Sequence, residues 1–134
     1  MSVKHFTNKD PGKWYQYADR KIFLGSVLDK TNSNSMSVGF ARYGKGESNE
    51  WIVTYDEVLI VTKGAFTVHS VEGAQTAKAG EVLWLTKGAK VVYQGEEDDT
   101  ELVTVTYPHW EEATSKSNYA NLLDSFHTTD QLPA

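Results

Sequence analysis

Histidine and cysteine, two residue types common as transition-metal ligands, are scarce in this sequence. There is no cysteine, which excludes disulfides, thiolate metal sites and cysteine nucleophiles. The four histidines are His5, His69, His109 and His127, and no two of them are closely spaced. His5 and His127 lie in terminal segments, where a structural or solvent-exposed role is the usual one. A histidine metal site would therefore need His69 or His109 to meet other metal ligands through the fold.

The densest charged run is acidic and contains Glu96, Glu97, Asp98, Asp99 and Glu101. Clustered carboxylates can hold a hard cation, but this run lacks the glycine and asparagine spacing of a calcium loop. We interpret it as a solvated tip between two strands, 90–94 and 102–107, which the spacing predicts to pair as a hairpin.

The middle of the chain is typical of an all-β domain. Short runs rich in β-branched and aromatic residues are separated by glycine-containing turns, which predicts a sandwich or barrel. The predicted strands are 21–28, 36–43, 51–55, 58–62, 65–71, 81–85, 90–94 and 102–107, with 81–85 interpreted as a buried run. The length of 134 residues suits one domain.

The two ends differ from this pattern. Tyr119, Leu122, Leu123 and Phe126 are spaced at i, i+3, i+4 and i+7, which predicts a short C-terminal helix over about 116–126. Residues 1–19, with Trp14, Tyr15 and Tyr17, are expected to pack over the sheet as an N-terminal arm. The predicted organisation is one domain, 1–134, with its barrel over about 20–110.

Two glycine-bounded segments resemble the two cupin motifs. In the first, Glu57 is followed after six residues by Gly64; in the second, Gly80 is followed by a turn ending at Gly88, with Thr86 where proline is usual. The resemblance implies a cupin fold, a double-stranded β-helix or jelly-roll barrel. The segments 36–40, 54–57 and 107–110 narrow the resemblance to the EutQ family over about residues 20–110. That family is linked to ethanolamine catabolism and an acetate-kinase-type activity, although no glycine-rich phosphate loop is present here.

The cupin resemblance implies positions for metal ligands, and most of them are not ligands in this chain. The paired histidines of the first motif fall on Glu50 and Ile52, or on Trp51 and Val53, and the histidine of the second motif falls on Val91. Glu57 alone remains, and one carboxylate is too few for Zn²⁺ or Fe²⁺. We therefore expect no metal site and no cofactor, and keep a divergent site of Glu57 with His69 or His109 as an alternative.

If Glu57 points into the barrel, as the matching cupin glutamate does, strand alternation directs Tyr55 and Leu59 the same way. Val91 and Tyr93 are expected to face inward by the same rule. A desolvated carboxyl beside phenols suits proton transfer near neutral pH. We predict Glu57, Tyr55 and Tyr93 as catalytic residues.

Residues beside that centre are expected to contact the substrate, and we predict Trp51, Trp84 and Val91 for this role. The resulting hypothesis is metal-free isomerisation, elimination or cyclisation of a small metabolite. A binding module without catalysis is the alternative, and the EutQ resemblance adds a structural or microcompartment-associated role.

Charge and hydropathy limit the partners. A net charge of −5 without a basic stripe argues against nucleic acid. No apolar run is long enough to cross a membrane, and Met1–Asp10 lacks the apolar stretch of a secretory signal, so we expect a cytoplasmic protein. We also expect a homodimer, because the predicted strand 21–28 would otherwise present an open sheet edge.

Overall fold

The computed structural model describes residues 3–130 of the chain. Within that range there are eleven strands and, between the last two of them, a short α-helix, α1, and a 3₁₀ helix. The strands are β1 (Trp14–Tyr17), β2 (Ile22–Leu28), β3 (Ser37–Tyr43), β4 (Ser48–Ile52), β5 (Asp56–Lys63), β6 (Ala65–Ser70), β7 (Gly73–Lys78), β8 (Val82–Leu85), β9 (Lys90–Gly95), β10 (Thr100–Tyr107) and β11 (Phe126–Thr129). The α-helix α1 spans Trp110–Ser115, and the 3₁₀ helix spans Ala120–Ser125, so both lie between β10 and β11. Among the helices of the described residues, none has the length and apolar character needed to span a membrane.

The strands form two antiparallel sheets. The larger sheet has the order β11-β1-β2-β3-β10-β5-β8, and the smaller has the order β4-β9-β6-β7. Side chains alternate between the two faces of each strand, and every second residue of β3 from Ser37 to Tyr43 is buried. The buried sets of both sheets meet in one hydrophobic core.

The acidic run does not lie at the tip of a hairpin. β9 pairs with β4 and β6, whereas β10 pairs with β3 and β5, so the chain crosses from one sheet to the other between Gly95 and Thr100. The hairpin prediction was wrong because the spacing of two strands along the chain does not reveal whether they belong to the same sheet.

The C-terminal segment is not one helix over 116–126. α1 ends at Ser115, the 3₁₀ helix begins at Ala120, and Phe126 already belongs to β11. Leu122, Leu123 and Phe126 do pack against the core, while Tyr119 is 42% exposed. The spacing of the apolar residues therefore predicted correctly that Leu122, Leu123 and Phe126 pack against the core, but it did not predict their conformation. A 3₁₀ helix followed by a strand can bury the same positions as an α-helix.

The N-terminal residues predicted as an arm include a strand of the sheet. β1 pairs with β2 on one side and with β11 on the other, so the first and last strands of the described chain lie side by side. Residues 1–2 and 131–134, which the predicted domain includes, lie outside the described residues. β2 consequently lies inside the sheet, and the open edge that suggested a dimer is covered by β1.

The edge strand of the larger sheet, at the end opposite β11, is β8. Val82 is 56% exposed and Trp84 is 71% exposed, whereas Leu85 is buried. The interpretation of 81–85 as a buried run was therefore wrong, since an edge strand whose outer face is uncovered can carry apolar side chains in solvent.

Gly64 connects β5 to β6 in a conformation that constrains this position to glycine. Its φ is +76°, and an added Cβ would lie 2.6 Å from Thr100 Oγ1 and 3.1 Å from Thr100 Cα. Gly46 has the same φ of +76°, but nothing would lie within 4 Å of its Cβ. A comparison of alanine substitutions at Gly46 and Gly64 therefore separates the cost of backbone strain, which both share, from the cost of steric overlap, which only Gly64 has.

We predict that Gly46→Ala lowers the free energy of unfolding by about 1–2 kcal/mol, which is the cost of the left-handed conformation. Gly64→Ala should cost about 1–3 kcal/mol more because of the clash with Thr100. Urea denaturation of both variants measures the difference. Equal losses would show that Thr100 does not constrain this turn.

Candidate active site in the barrel cavity

A cavity of about 60 Å³ lies between the two sheets. Its walls come from strands of both sheets, and two side chains of the C-terminal segment, Trp110 and Phe126, complete the lining. Glu57, Tyr55, Tyr93 and Trp51 all line this cavity. The structure thus brings together the three residues predicted as catalytic and one of those predicted to contact substrate.

Glu57 reaches the cavity because of its place on β5. Asp56 is exposed, whereas Glu57, Leu59 and Val61 form the buried face of the strand. The Glu57 side chain is 6% exposed, and its Oε1 accepts a hydrogen bond of 2.6 Å from the Tyr93 hydroxyl on β9. Within residues 3–130, no other side chain or backbone group hydrogen-bonds to the Glu57 carboxyl.

Burial changes the acidity of Glu57. Loss of solvation raises its pKa from 4.5 to about 7, and the hydrogen bond from Tyr93 opposes the rise. No lysine, arginine or histidine of the described chain is among the residues that line the cavity. A carboxyl in this state is divided between its acid and base forms at neutral pH, which is the condition for general acid–base catalysis.

The tyrosines are held as neutral groups. Burial and then the charge of Glu57 raise the pKa of both Tyr55 and Tyr93 well above 10. Tyr55 accepts a hydrogen bond of 2.8 Å from the Trp51 indole nitrogen, Nε1. Each phenol is therefore oriented by a protein partner and keeps its proton.

A second polar pair, which the sequence analysis did not identify, also lines the cavity. The Tyr43 hydroxyl on β3 donates a hydrogen bond of 2.6 Å to Oδ1 of Asn49 on β4, and Asn49 is 3% exposed. Asn49 is two residues before Trp51 on the same strand, so alternation from Trp51 would have placed it inward.

The C-terminal segment closes one side of the cavity with aromatic rings. Trp51, Trp110 and Phe126 contact one another edge to face, with ring centroids 5.7–6.0 Å apart. Phe126 also contacts Tyr17 of β1, at 5.2 Å between centroids. Residues far apart in sequence therefore seal the same side of the site.

A wider cleft adjoins this cavity. It has a volume of about 570 Å³ and shares one lining residue with the cavity, Ser26 of β2. Its other lining residues include Lys13, Lys30, Asp29 and Glu111, so charges of both signs surround it. The cavity is thus small and mostly apolar, whereas its neighbour is large and polar.

Two residues predicted to contact substrate do not line the cavity. Trp84 lies on the exposed face of the edge strand β8. Val91 is 4% exposed and belongs to the hydrophobic core, but is absent from the cavity wall. The prediction for Trp84 assumed that 81–85 is a buried run, but β8 is an edge strand. The prediction for Val91 assumed that the cavity extends along β9 as far as Val91, which it does not.

The alternative metal site is not assembled. His69 is exposed, and its Nε2 lies 2.8 Å from Gln94 Oε1; His109 Nε2 lies 3.0 Å from the Ser33 carbonyl oxygen. Neither histidine lines the cavity that contains Glu57. Across residues 3–130, no three His, Cys, Asp or Glu side chains are grouped so that they could hold a metal ion. The donor set around Glu57 therefore does not fit the metal of metal-binding cupins.

Comparison with known proteins identifies the family. The sequence profile of the family described as ethanolamine utilisation protein EutQ matches residues 18–112. The chain belongs to the EutQ family. The match includes Glu57, Tyr93 and Trp110 but ends before the 3₁₀ helix and β11. In this EutQ-family chain, Phe126 therefore comes from a segment beyond the family match.

Solved structures agree with this assignment. Ethanolamine utilization protein Q of Salmonella typhimurium LT2 is 25% identical, with 66% of this chain and 70% of that chain covered and a TM-score of 0.61. A Rhizobium leguminosarum protein of unknown function is 27% identical, with coverages of 81% and 100% and a TM-score of 0.64. An RmlC-like cupin of Shewanella frigidimarina is 13% identical, with coverages of 82% and 96% and a TM-score of 0.64, and shows the fold alone. The all-β cupin fold is thereby confirmed. No curated protein matches this EutQ-family chain.

The raised pKa of Glu57 makes a prediction about stability. Because this pKa is about 7 in the folded state and 4.5 in the unfolded state, the folded chain binds more protons between these values. The free energy of unfolding should therefore fall by about 3 kcal/mol as pH rises from below 4.5 to above 7. A Glu57→Gln variant does not have this loss, so its stability relative to the unmodified protein should be higher at pH 8 than at pH 5.

Urea unfolding at both pH values measures this difference. Glu50→Gln is the matched control, because the same chemical change is made at an exposed position on β4. The control should differ from the unmodified protein equally at both pH values. If Glu57→Gln behaved in the same way as the control, the Glu57 carboxyl would not be desolvated.

Proposed function

We propose that the barrel cavity binds a small metabolite and that Glu57 acts there as a metal-independent general acid or base. The observation that carries this proposal is the buried Glu57 carboxyl, held through one oxygen by Tyr93 and with a pKa near 7. Its second oxygen is the group available to a substrate. Groups of this kind, in a largely apolar pocket with few polar side chains, are typical of small-molecule sites.

The geometry supports a role for each polar group. In its ionised form Glu57 accepts a proton from a bound substrate, and in its neutral form it returns the proton to another atom. Tyr93 orients the carboxyl, and Tyr55, whose oxygen accepts from Trp51, can donate its own hydrogen bond to a substrate oxygen. Such proton transfers can promote an isomerisation, an elimination that expels a leaving group, or a cyclisation that forms a ring bond.

Deuterium exchange tests this function on many candidate substrates at once. A panel of small metabolites is incubated with the protein in D₂O, and ¹H NMR detects the loss of carbon-bound protons and the formation of products. For any active compound, Glu57→Gln should reduce the rate by about 10²–10⁴-fold. Glu50→Gln should leave it unchanged. An active Glu57→Gln protein would refute the role of Glu57.

The pH profile of the reaction gives a further check. If Glu57 is the base, kcat/KM should rise with pH and reach a plateau above about pH 7. In Tyr93→Phe the midpoint should move to higher pH, because the hydrogen bond from Tyr93 lowers the pKa of Glu57. A midpoint that stays near pH 4.5 in the unmodified protein would contradict the proposed site.

A non-catalytic binding module is the second candidate. It is favoured by the closed aromatic wall and by the small volume of the cavity, which suit retention of a compact ligand. Ligand binding in NMR titrations, with neither exchange nor product for any compound that binds, would favour this function. Family membership further supports a role in ethanolamine utilisation, which co-purification with proteins of that pathway would test.

We further propose a cytoplasmic homodimer. The dimer is supported by the uncovered edge strand β8, which has Val82 and Trp84 exposed to solvent. Light scattering coupled to size exclusion should give twice the chain mass of 15.0 kDa. Trp84→Lys should shift the protein toward monomer if this edge is the contact.

A further inference from the structure

Among the described residues, the lining of the cavity contains one carboxyl group and no basic side chain. Glu57 is the only acidic residue among the lining side chains of the described chain, and no lysine, arginine or histidine accompanies it. An anionic ligand in this place would face an ionised or half-ionised carboxyl without any compensating charge. A cation, in contrast, would supply the partner that a buried carboxylate otherwise lacks.

The hydrogen bonds already made leave acceptor oxygens on Glu57, Tyr43 and Tyr93. Tyr93 donates its proton to Glu57, and Tyr43 donates its proton to Asn49, so both phenols offer oxygen lone pairs. The second oxygen of the Glu57 carboxyl is a further acceptor. The other donors of the lining are the hydroxyls of Ser26, Thr104 and Tyr55, the Asn49 amide and the Trp110 indole, and all of them are neutral.

The size and lining of the cavity restrict the ligand further. Its volume of about 60 Å³ is well below the roughly 300–1,000 Å³ of drug-sized ligand sites, so it admits only a few non-hydrogen atoms. Aromatic side chains make up much of the lining, and aromatic rings attract cations through their electron-rich faces.

We propose that the cavity selects a small primary ammonium group, bound to the Glu57 carboxylate and the Tyr43 and Tyr93 oxygens, over carboxylates of equal size. An ammonium group has three donors and a positive charge, which match the acceptors and the charge of the site. This inference rests on the proposed function for the location of the ligand, and it adds the chemical class of that ligand.

Three probes of four non-hydrogen atoms separate charge from size: n-propylammonium, 1-propanol and acetate. Each is titrated at pH 7.5 against uniformly ¹⁵N-labelled protein, and the indole N–H of Trp51 is followed by NMR. Propylammonium should bind at least tenfold more tightly than propanol, and acetate should not bind. In Glu57→Gln the affinity for propylammonium should fall to that for propanol, whereas Glu50→Gln should retain the full difference.

The affinity for propylammonium should also depend on pH. The titratable groups that face Glu57 are Tyr43 from β3, Tyr55 from the segment before β5 and Tyr93 from β9, all of which burial keeps protonated. The other elements that line the cavity present no ionisable side chain among the described residues. Between pH 7.5 and 6 the ionised fraction of a carboxyl with a pKa near 7 falls about eightfold, and binding should weaken by about that factor.

The outcomes distinguish two failures. If propanol or acetate binds at Trp51 as tightly as propylammonium does, the cavity binds small molecules and only the preference for ammonium is wrong. If none of the three shifts the Trp51 signal, the cavity does not accept small ligands and the proposed function fails with it. Binding of propylammonium that survives Glu57→Gln unchanged would also overturn the preference.

Discussion

The buried carboxyl of Glu57 is the constraint on which the rest of this site depends. A carboxyl removed from water needs a hydrogen-bond donor, and Tyr93 is the donor that the described structure provides. Because no basic side chain of the described residues lines the cavity, only the hydrogen bond from Tyr93 offsets part of the cost of ionisation, and the pKa of Glu57 rises to about 7. The same charge and the same burial keep Tyr55 and Tyr93 protonated. The chemistry of the cavity is therefore set by one desolvated group and by the phenols arranged around it.

This arrangement exists only when the two sheets are packed together. Glu57 and Tyr43 belong to the larger sheet, and Tyr93 and Asn49 belong to the smaller sheet. The hydrogen bonds from Tyr93 to Glu57 and from Tyr43 to Asn49 therefore each cross from one sheet to the other. Polar bonds of this kind fix the relative position of the sheets more specifically than apolar packing does, because their geometry tolerates little displacement. Positioning the catalytic candidate and holding the barrel together are two effects of the same bonds.

Much of the fold and part of the site could be predicted from the sequence, for identifiable reasons. Alternation along β5 and β9 placed Tyr55, Glu57 and Tyr93 on buried faces because regular strands have a strict period of two. β7 was missed because Gly73–Lys78 is a mostly exposed strand of small and polar residues. Trp84 was misplaced because only the sheet order shows that β8 is an edge strand. The Trp110 and Phe126 contacts are between residues distant from Trp51 in sequence, and no local pattern encodes them.

The pairing of β1 with β11 has a consequence for how the protein is made. The ribosome synthesises β1 before the other described strands. The outer neighbour of β1, strand β11, contains the Phe126 ring that contacts Tyr17 and is among the last described residues to be synthesised. Until they leave the ribosome, β1 is the open edge of an incomplete sheet, and Trp51 and the cavity behind it lack part of their aromatic cover. A nascent chain of this protein is thus exposed to aggregation at the edge that the finished protein conceals, and its cavity gains its full aromatic cover only after β11 has paired with β1.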